Sequence, residues 1–578
     1  MKITAILTLS LGLLLNVAAF ATTSGDSTSK VVAIHLLGYD NDQALTELTL
    51  RVPALAMEGV NLLFLEVDYN FEFKSHPELR QSENVITYEG AQFFASVCKK
   101  NGIRVIPQFQ SLGHQSWSKN TWALLTVYPE LDLTPGAFPN NEGIYCREWD
   151  PMNPKVNEIV FPMIDEILTA FNADGLHIGL DEVFLLKSEF AKSTKNLNPA
   201  SVYAKVVNDF HNYFVKKQGK ELFMWADRLI DGTKYKYGEW ESSMNGTAAA
   251  VDSIPKDVVL CDWHYESMPN YGSIPMFLEK GFRVLPCSYN NIKGVKALIK
   301  YSYQLDNPNM LGHMFTTWSI VTADSLLAYA PLKLGVALIN SGKFYEAQIS
   351  SKSIKGVEAL SLKMSSPKPQ YQVRYTLNGE TPNLASNLYS IPVKIETSVT
   401  VKASLFEGDK EVGELVEKKY VVHKGIGKDV YYAAQPSVKY TTIDGLKTLV
   451  NGIQGSVSYA DGQWVGFEGA DLEFVIDLGK VTKISKLRFN SLNDTQSWIH
   501  ATDRIEVSQS GDGHMYNLSL DKNLPTSKGI TIEIVETVLP MNITTRFLKI
   551  KVFCKTIPLG FQGAGTKGWL FVDELVVE

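Results

Sequence analysis

Gly175-Leu-His-Ile-Gly-Leu-Asp181-Glu182 is a short apolar run that ends in two adjacent carboxylates. Just before it, Val156, Ile159, Val160, Met163, Ile164, Ile167, Leu168 and Phe171 recur at helical spacing along one face. An apolar strand preceded by an amphipathic helix is the unit of a parallel sheet covered on both sides. The same alternation extends in both directions. Val31–Leu37, Val60–Asp68, Ile103–Phe109, Glu221–Ala226, Asp257–Trp263, Phe282–Cys287 and Met310–Trp318 are further apolar runs with helix-like segments between them. Eight strand–helix units up to about Ser341 predict an eight-fold β/α (TIM) barrel. A doubly wound open sheet is the alternative, but no Gly-rich phosphate loop follows the first run.

The helical pattern is lost near residue 345. Tyr371–Leu377 alternates and runs into Asn378-Gly379, a turn dipeptide, and Pro392–Ile395 and Val399–Phe406 follow as strands. A small β-sandwich is expected there. Leu472–Leu478, Ile484–Phe489, Arg504–Val507, Thr531–Ile534 and Phe547–Phe553 predict a second, larger sandwich. The expected division is a leader over 1–21, a barrel over 28–345, a small sandwich over 346–425 and a larger one over 426–578.

The chain has 578 residues, 45% hydrophobic and 20% charged, which excludes a disordered or fibrous chain. A net charge of -7 offers nucleic acid phosphates no attraction. Met1-Lys2, the apolar run Ile3–Val17 and Ala19-Phe20-Ala21 read as a secretory signal peptide, so the protein is expected to be exported, to the periplasm or beyond. No later run is long enough to span a bilayer. Five widely spaced cysteines without a CxxC argue against a zinc cluster or disulfide scaffold, and Cys261 and Cys287 read as buried thiols.

Reactive groups of such a barrel sit at the C-terminal ends of its strands. Asp181 and Glu182 end the fourth. Glu66 and Asp68 end the second; Gln108 and then His114 follow the third; Trp225 and Asp227 the fifth; Asp262, Trp263 and His264 the sixth; Tyr289 the seventh; Trp318 the eighth. An arbitrary Asp-Glu pair more often caps a helix. Here it closes a buried strand, and three of the ten tryptophans also stand at strand ends. Flat rings beside carboxyls suit a sugar-hydrolysing pocket, where rings meet the C–H faces of a pyranose and carboxyls move protons.

His177–Glu182 resembles the His-x-Gly-Gly-Asp-Glu signature of glycoside hydrolase family 20, the β-N-acetylhexosaminidases. Ile106-Pro-Gln-Phe-Gln-Ser-Leu-Gly113-His114 is similar to that family's third-strand motif, and Tyr289 and Trp318 to its seventh- and eighth-strand aromatics. Tyr375-Thr-Leu-Asn-Gly-Glu-Thr-Pro382 resembles the small C-terminal domain found beside these enzymes. Asp461–Phe467 and Val475–Gly479 resemble a discoidin-type, galactose-binding-like module. The resemblance implies a substrate-assisted mechanism on a glycan with a terminal N-acetylhexosamine. Glu182 is then the general acid, its pKa raised by the negative Asp181 beside it. Asp181 holds the acetamide N–H and Tyr289 donates to the acetamide oxygen. Trp225, Trp263 and Trp318 wall the pocket, and Asp227 contacts substrate. His114, with Asp68 or Glu66 behind it, relays charge, and His177 supports the loop. No metal or organic cofactor is implied for the chemistry; a structural calcium in the C-terminal module is allowed by the resemblance, without ligand spacing to place it.

Three positions depart from the family pattern. Leu180 replaces the second glycine of the signature, the first strand (His35-Leu36-Leu37-Gly38-Tyr39-Asp40) has no Arg to clamp sugar hydroxyls, and Ser319 replaces an acidic residue after Trp318. Arg147 or Arg228 is the candidate substitute for the clamp. Two alternatives to a β-N-acetylhexosaminidase follow: a non-catalytic carbohydrate-binding protein on the same barrel, and a related glycosidase of altered sugar specificity.

Overall fold

The structure, a computed structural model, describes residues 30–319, 321–440, 442, 444–525 and 532–578. The leader read over 1–21 lies outside the described residues. Eight parallel strands close into a barrel: β1 (Val31–Leu36), β2 (Leu62–Glu66), β3 (Arg104–Ser111), β4 (Gly175–Gly179), β5 (Glu221–Trp225), β6 (Val259–Trp263), β7 (Arg283–Ser288) and β8 (Gly312–Thr316). Closure is made by β8 against β1, from Val31 opposite Gly312 to His35 opposite Thr316. Gly312 is required at this seam, because a Cβ there would lie 1.9 Å from the Val31 carbonyl oxygen.

The strands are mostly apolar because both of their faces are covered, with buried polar residues such as His35, Gln108, His177 and Asp262 among them. Phe64, Ile106, Phe223, Val259, Cys261, Leu285, Cys287 and Met314 form one buried cluster inside the barrel. Removing each large side chain from water contributes about 1.5–3 kcal/mol. The striped segment before β4 is the helix Pro154–Ala170, capped by the Asn153 side chain, which accepts the Lys155 N–H at 3.1 Å. Its stripe from Val156 to Leu168 is buried. All five cysteines are buried free thiols. Among the described residues no helix is long and apolar enough to cross a membrane.

Between β3 and β4 the register shifts: Gln108 faces His177, but Ser111 faces Gly179. One extra residue on β3 makes a β-bulge at the barrel mouth, a device that re-aims side chains beside functional sites.

The described chain divides into two compact units, one reaching Leu298 and resuming over Leu305–Val336, the other comprising Ile299–Gln304 and Ala337–Glu578. Among the described residues the second holds no α-helix after residue 345, only β-strands and two short 3-10 turns (Gly445–Val450 and Thr495–Ser497). A three-stranded sheet (Gln348–Ser353, Leu360–Ser365, Val393–Ile395) and a five-stranded one around Gln372–Thr376 and Val399–Glu407 enclose Leu360, Leu362, Val401, Ala403 and Leu405. An eight-stranded sheet follows, built on Leu472–Asn493 and Glu533–Val552. The runs Leu472–Leu478 and Ile484–Phe489, expected as two strands, are one. Gly479, at φ 77°, marks a register shift between Asp477 and Thr482 instead of a hairpin. A glycine inside a strand pattern signals a bulge as readily as a turn.

Candidate active site at the barrel mouth

β4 delivers Asp181 and Glu182 through a strained turn. Leu180 has φ 70° and Glu182 φ 50°; across the mouth, Leu112, His114 and Asp68 have φ 65°, 53° and 48°. A left-handed backbone costs a residue with a Cβ about 1–2 kcal/mol. Such strain persists only where the surroundings over-determine it. Here the Tyr203 hydroxyl donates to the Leu180 carbonyl at 2.7 Å, the Trp149 N–H to the Leu112 carbonyl at 3.0 Å, and the Gln115 side chain to the Gly113 carbonyl at 3.0 Å.

His114 sits between the two carboxylates. Its Nε2 is 3.4 Å from Asp181 Oδ2 and 3.3 Å from Glu182 Oε2, an ionic contact without hydrogen-bond geometry to either. Its Nδ1 is 3.5 Å from the Cys146 thiol. Burial opposes the imidazolium, but the charge of Asp181 leads the influences that outweigh it and hold His114 well above the usual histidine range. The reciprocal holds for Asp181. Burial would raise it, yet the charge of His114 and a hydrogen bond from Gln110 Nε2 leave it below the ordinary carboxylate range. Gly179 makes room for that amide: a Cβ there would lie 2.1 Å from Gln110 Oε1.

The other rim carboxyls behave oppositely. Burial pushes Asp68 up to about 7 and Glu66 well above its usual value. Asp68 accepts the Gln110 backbone N–H at 2.6 Å and Glu66 accepts from Gln108 at 3.0 Å; neither hydrogen-bonds His114. The amides form a directed chain. His35 contacts Gln108 Oε1 at 3.1 Å, Gln108 donates to Gln110 Oε1 at 3.2 Å, and Gln110 donates to Asp181. His35 is held down to about 4 by burial.

Asp227 lies under the catalytic turn. It is buried, accepts the Glu182 backbone N–H at 2.9 Å and pairs with Arg228 Nε at 2.6 Å. It therefore orients Glu182 from below. His177 is buried beneath the same turn, its Nδ1 accepting the Gly179 N–H at 3.1 Å, and burial pushes its pKa well down, so the imidazole is neutral. Neither arginine considered as a sugar clamp is open to the mouth, although Arg228 keeps one buried donor, Nη1, without a partner. Arg228 is buried and also donates to the Glu239 and Trp240 carbonyls; Arg147 is held by Asp132, Asn141 and the Ala137 and Phe138 carbonyls.

Aromatic rings line the opposite side. Trp225 is fully buried against His177 (4.5 Å between ring centres), His35 and Trp318 (5.2 Å each). Trp263 stacks on Tyr265 at 5.1 Å, Tyr265 meets Tyr289 at 5.6 Å, and the Trp318 indole donates to the Tyr265 hydroxyl. The indole N–H groups of Trp225 and Trp263 are buried without a partner. Tyr289 is half-buried, 3.5 Å from Ser319 Oγ. Asp262 and His264 instead form a separate buried network with Ser273 and Glu241.

Gln110, Tyr145, Glu148 and Tyr265 belong to this site without having been singled out from the sequence. Gln110 had a signal, as a second amide inside an otherwise apolar strand. Tyr145 and Glu148 lie in the long loop after β3, where no periodicity points inward. The His114, Asp181 and Glu182 ligand atoms all lie within 4.8 Å of one another, a spacing that could also hold a cation.

Comparison with known proteins shows what this geometry resembles. Residues 48–324 match the model described as glycosyl hydrolase family 20, catalytic domain, and residues 355–417 the chitobiase/beta-hexosaminidase C-terminal domain. The barrel is thus similar to the catalytic domain of glycoside hydrolase family 20. A beta-hexosaminidase of Emericella nidulans is 24% identical over 246 residues, covering 38% of this chain and 32% of that protein. The beta-hexosaminidase subunit beta of Rattus norvegicus is 26% identical over 251 residues, covering 38% and 43%. The chain thus spans less than half the length of either relative. Among solved structures, a Flavobacterium johnsoniae chitobiase is 20% identical, covering 52% of this chain and 47% of that one at a TM-score of 0.39.

Proposed function

We propose that this chain is an exported, exo-acting β-N-acetylhexosaminidase that removes terminal β-linked GlcNAc or GalNAc by substrate-assisted, retaining hydrolysis. The observation that carries it is the clamp on Asp181, ionised between His114 and Gln110, directly beside a second carboxyl that is more open to the mouth.

The chemistry divides between the two. Asp181 accepts the acetamide N–H of the bound sugar and turns the acetamide oxygen toward C1. That oxygen attacks C1 as the C1–O bond to the leaving group breaks, and Glu182 passes its proton to the departing oxygen. The anionic Asp181 stabilises the positive charge of the resulting oxazolinium ring. Water then adds at C1, giving its proton to Glu182 and restoring the acetamide. Tyr289 meets the acetamide oxygen, and the rings of Trp263 and Trp318 wall its methyl group, with the fully buried Trp225 packed behind Trp318.

The reading is tested by turnover of an aryl N-acetyl-β-hexosaminide. Glu182→Gln is expected to lower kcat by roughly 10²–10⁴-fold, the range of general acid–base catalysis. Absence of turnover on any N-acetylhexosaminide would contradict it. One observation favours a variant reading, a glycosidase of altered sugar preference: both candidate arginines are committed elsewhere, so neither grips sugar hydroxyls. A panel of aryl glycosides separates the two. Export rests on the leader-like segment 1–21. The discoidin-type reading of the last sandwich rests on its motifs; within it Trp464 is core, its indole donating to the Ser456 carbonyl at 2.9 Å.

A further inference from the structure

A second group of rings borders the mouth, and the chemistry described so far does not use it. Trp117 and Tyr145 come from the loop after β3, Phe184 from the loop after β4 and Trp240 from the loop after β5. Tyr145 is the hub. Its ring meets Trp117 at 5.7 Å, Trp240 at 4.9 Å, Phe184 at 6.1 Å and His114 at 5.6 Å, all edge to face. Trp117 is 54% exposed and Trp240 46%. A contiguous aromatic surface left open to water marks a contact site more often than a packing accident.

Each loop of this shelf is held by a buried side chain. Arg147 binds Asn141, Asp132 and two carbonyls of the segment leading to Tyr145. Glu148 accepts the backbone N–H groups of Phe184 and Leu185, both at 2.6 Å. Arg228 donates to the Trp240 carbonyl at 2.7 Å and lies over the Phe184 ring at 4.7 Å. Three buried side chains, Arg147, Glu148 and Arg228, fix the three loops through these hydrogen bonds and produce a rigid platform, and rigidity before binding is what an adaptable surface patch lacks.

The place of the shelf assigns its ligand. The Tyr145 ring meets the His114 ring at 5.6 Å, and His114 Nε2 lies 3.3 Å from Glu182 Oε2, so the shelf adjoins the proton donor. A general acid faces the oxygen of the bond that breaks, and the leaving group lies on its side. We infer that Trp117, Tyr145 and Trp240 bind the leaving group, and that they select leaving groups presenting a flat apolar ring face, a second pyranose of a glycan above all, over alkyl chains. This inference rests on the hydrolase reading above and deepens it.

The test compares kcat/KM of the full chain and its Trp117→Ala, Trp240→Ala and Trp240→Phe variants on two substrates. One is a β-linked N-acetylhexosamine disaccharide, the other the methyl β-glycoside of the same sugar. The alanine variants are expected to lose about ten-fold more on the disaccharide than on the methyl glycoside, a difference of about 1.4 kcal/mol. Trp240→Phe, which keeps a ring, is expected to recover most of that difference. Equal losses on both substrates, or no loss on the disaccharide, would overturn the leaving-group site while leaving the hydrolase intact. A wild-type chain that cleaves neither substrate would overturn the hydrolase reading, and this site with it.

Discussion

Replacing His114 with Gln removes a charge and keeps a polar side chain of similar reach. In the wild-type site Nε2 lies 3.4 Å from Asp181 and 3.3 Å from Glu182. At an effective dielectric of about 20, opposite unit charges at that distance attract by roughly 5 kcal/mol. Desolvation of the imidazolium opposes this and the Gln110 hydrogen bond survives, so we take about 1.5–3 kcal/mol as the net loss at Asp181. Asp181, held below 3.8 in the native site, should rise to or above that value. The acidic limb of the kcat/KM profile on an aryl N-acetyl-β-hexosaminide should move to higher pH, with turnover down roughly 10²-fold.

Stability gives an independent reading of the same change. The native pKa of Asp181 is depressed, so its contribution is present above 3.8 and lost as pH falls through the native value. The native pKa of His114 is raised, so its contribution is complete below 6.5 and lost as pH rises through the native value. His114→Gln should therefore remove the alkaline loss and weaken the acidic one in urea unfolding across pH. An acidic limb that stays in place, with an unchanged alkaline decline in stability, would refute the reasoning.

Other expectations follow from the turn that carries the acid. Asp227→Ala strips the buried Arg228 of its counter-ion and should destabilise the barrel by about 3–5 kcal/mol in urea unfolding, with Asp227→Asn milder because it still accepts the Glu182 N–H. Leu180→Gly relieves about 1–2 kcal/mol of left-handed strain but deletes a fully buried leucine, a loss of roughly 3–5 kcal/mol. The cavity should win, leaving a net destabilisation of about 2–3 kcal/mol by the same assay; a more stable variant would show that the strain dominates.

The barrel strands could be read from the sequence because a strand buried on both faces is a nearly continuous apolar run, in which a lone His35, Gln108 or His177 does not break the pattern. Gly179-Leu180-Asp181-Glu182 stood out for the opposite reason, as charges at the end of such a run. The long strand Leu472–Asn493 was divided because Gly479 signals a bulge and a turn alike. Arg147 and Arg228 show the limit of composition: an arginine near a mouth can grip a sugar or the loops, and only their partners decide. Tyr145, Glu148 and Trp240 lie in long irregular loops, where which side chain turns inward depends on tertiary contacts that no local pattern encodes.

The central claim is that Asp181, as an anion, grips the acetamide of the reacting sugar. Calorimetric titration with an N-acetylglucosamine-derived thiazoline, which mimics the oxazolinium ring, tests it most directly. Tight binding by the wild-type chain that weakens at least about 100-fold in Asp181→Asn is the predicted result, the scale on which intermediate mimics gain over substrates. Binding of equal strength in both proteins, or none in either, would contradict the account.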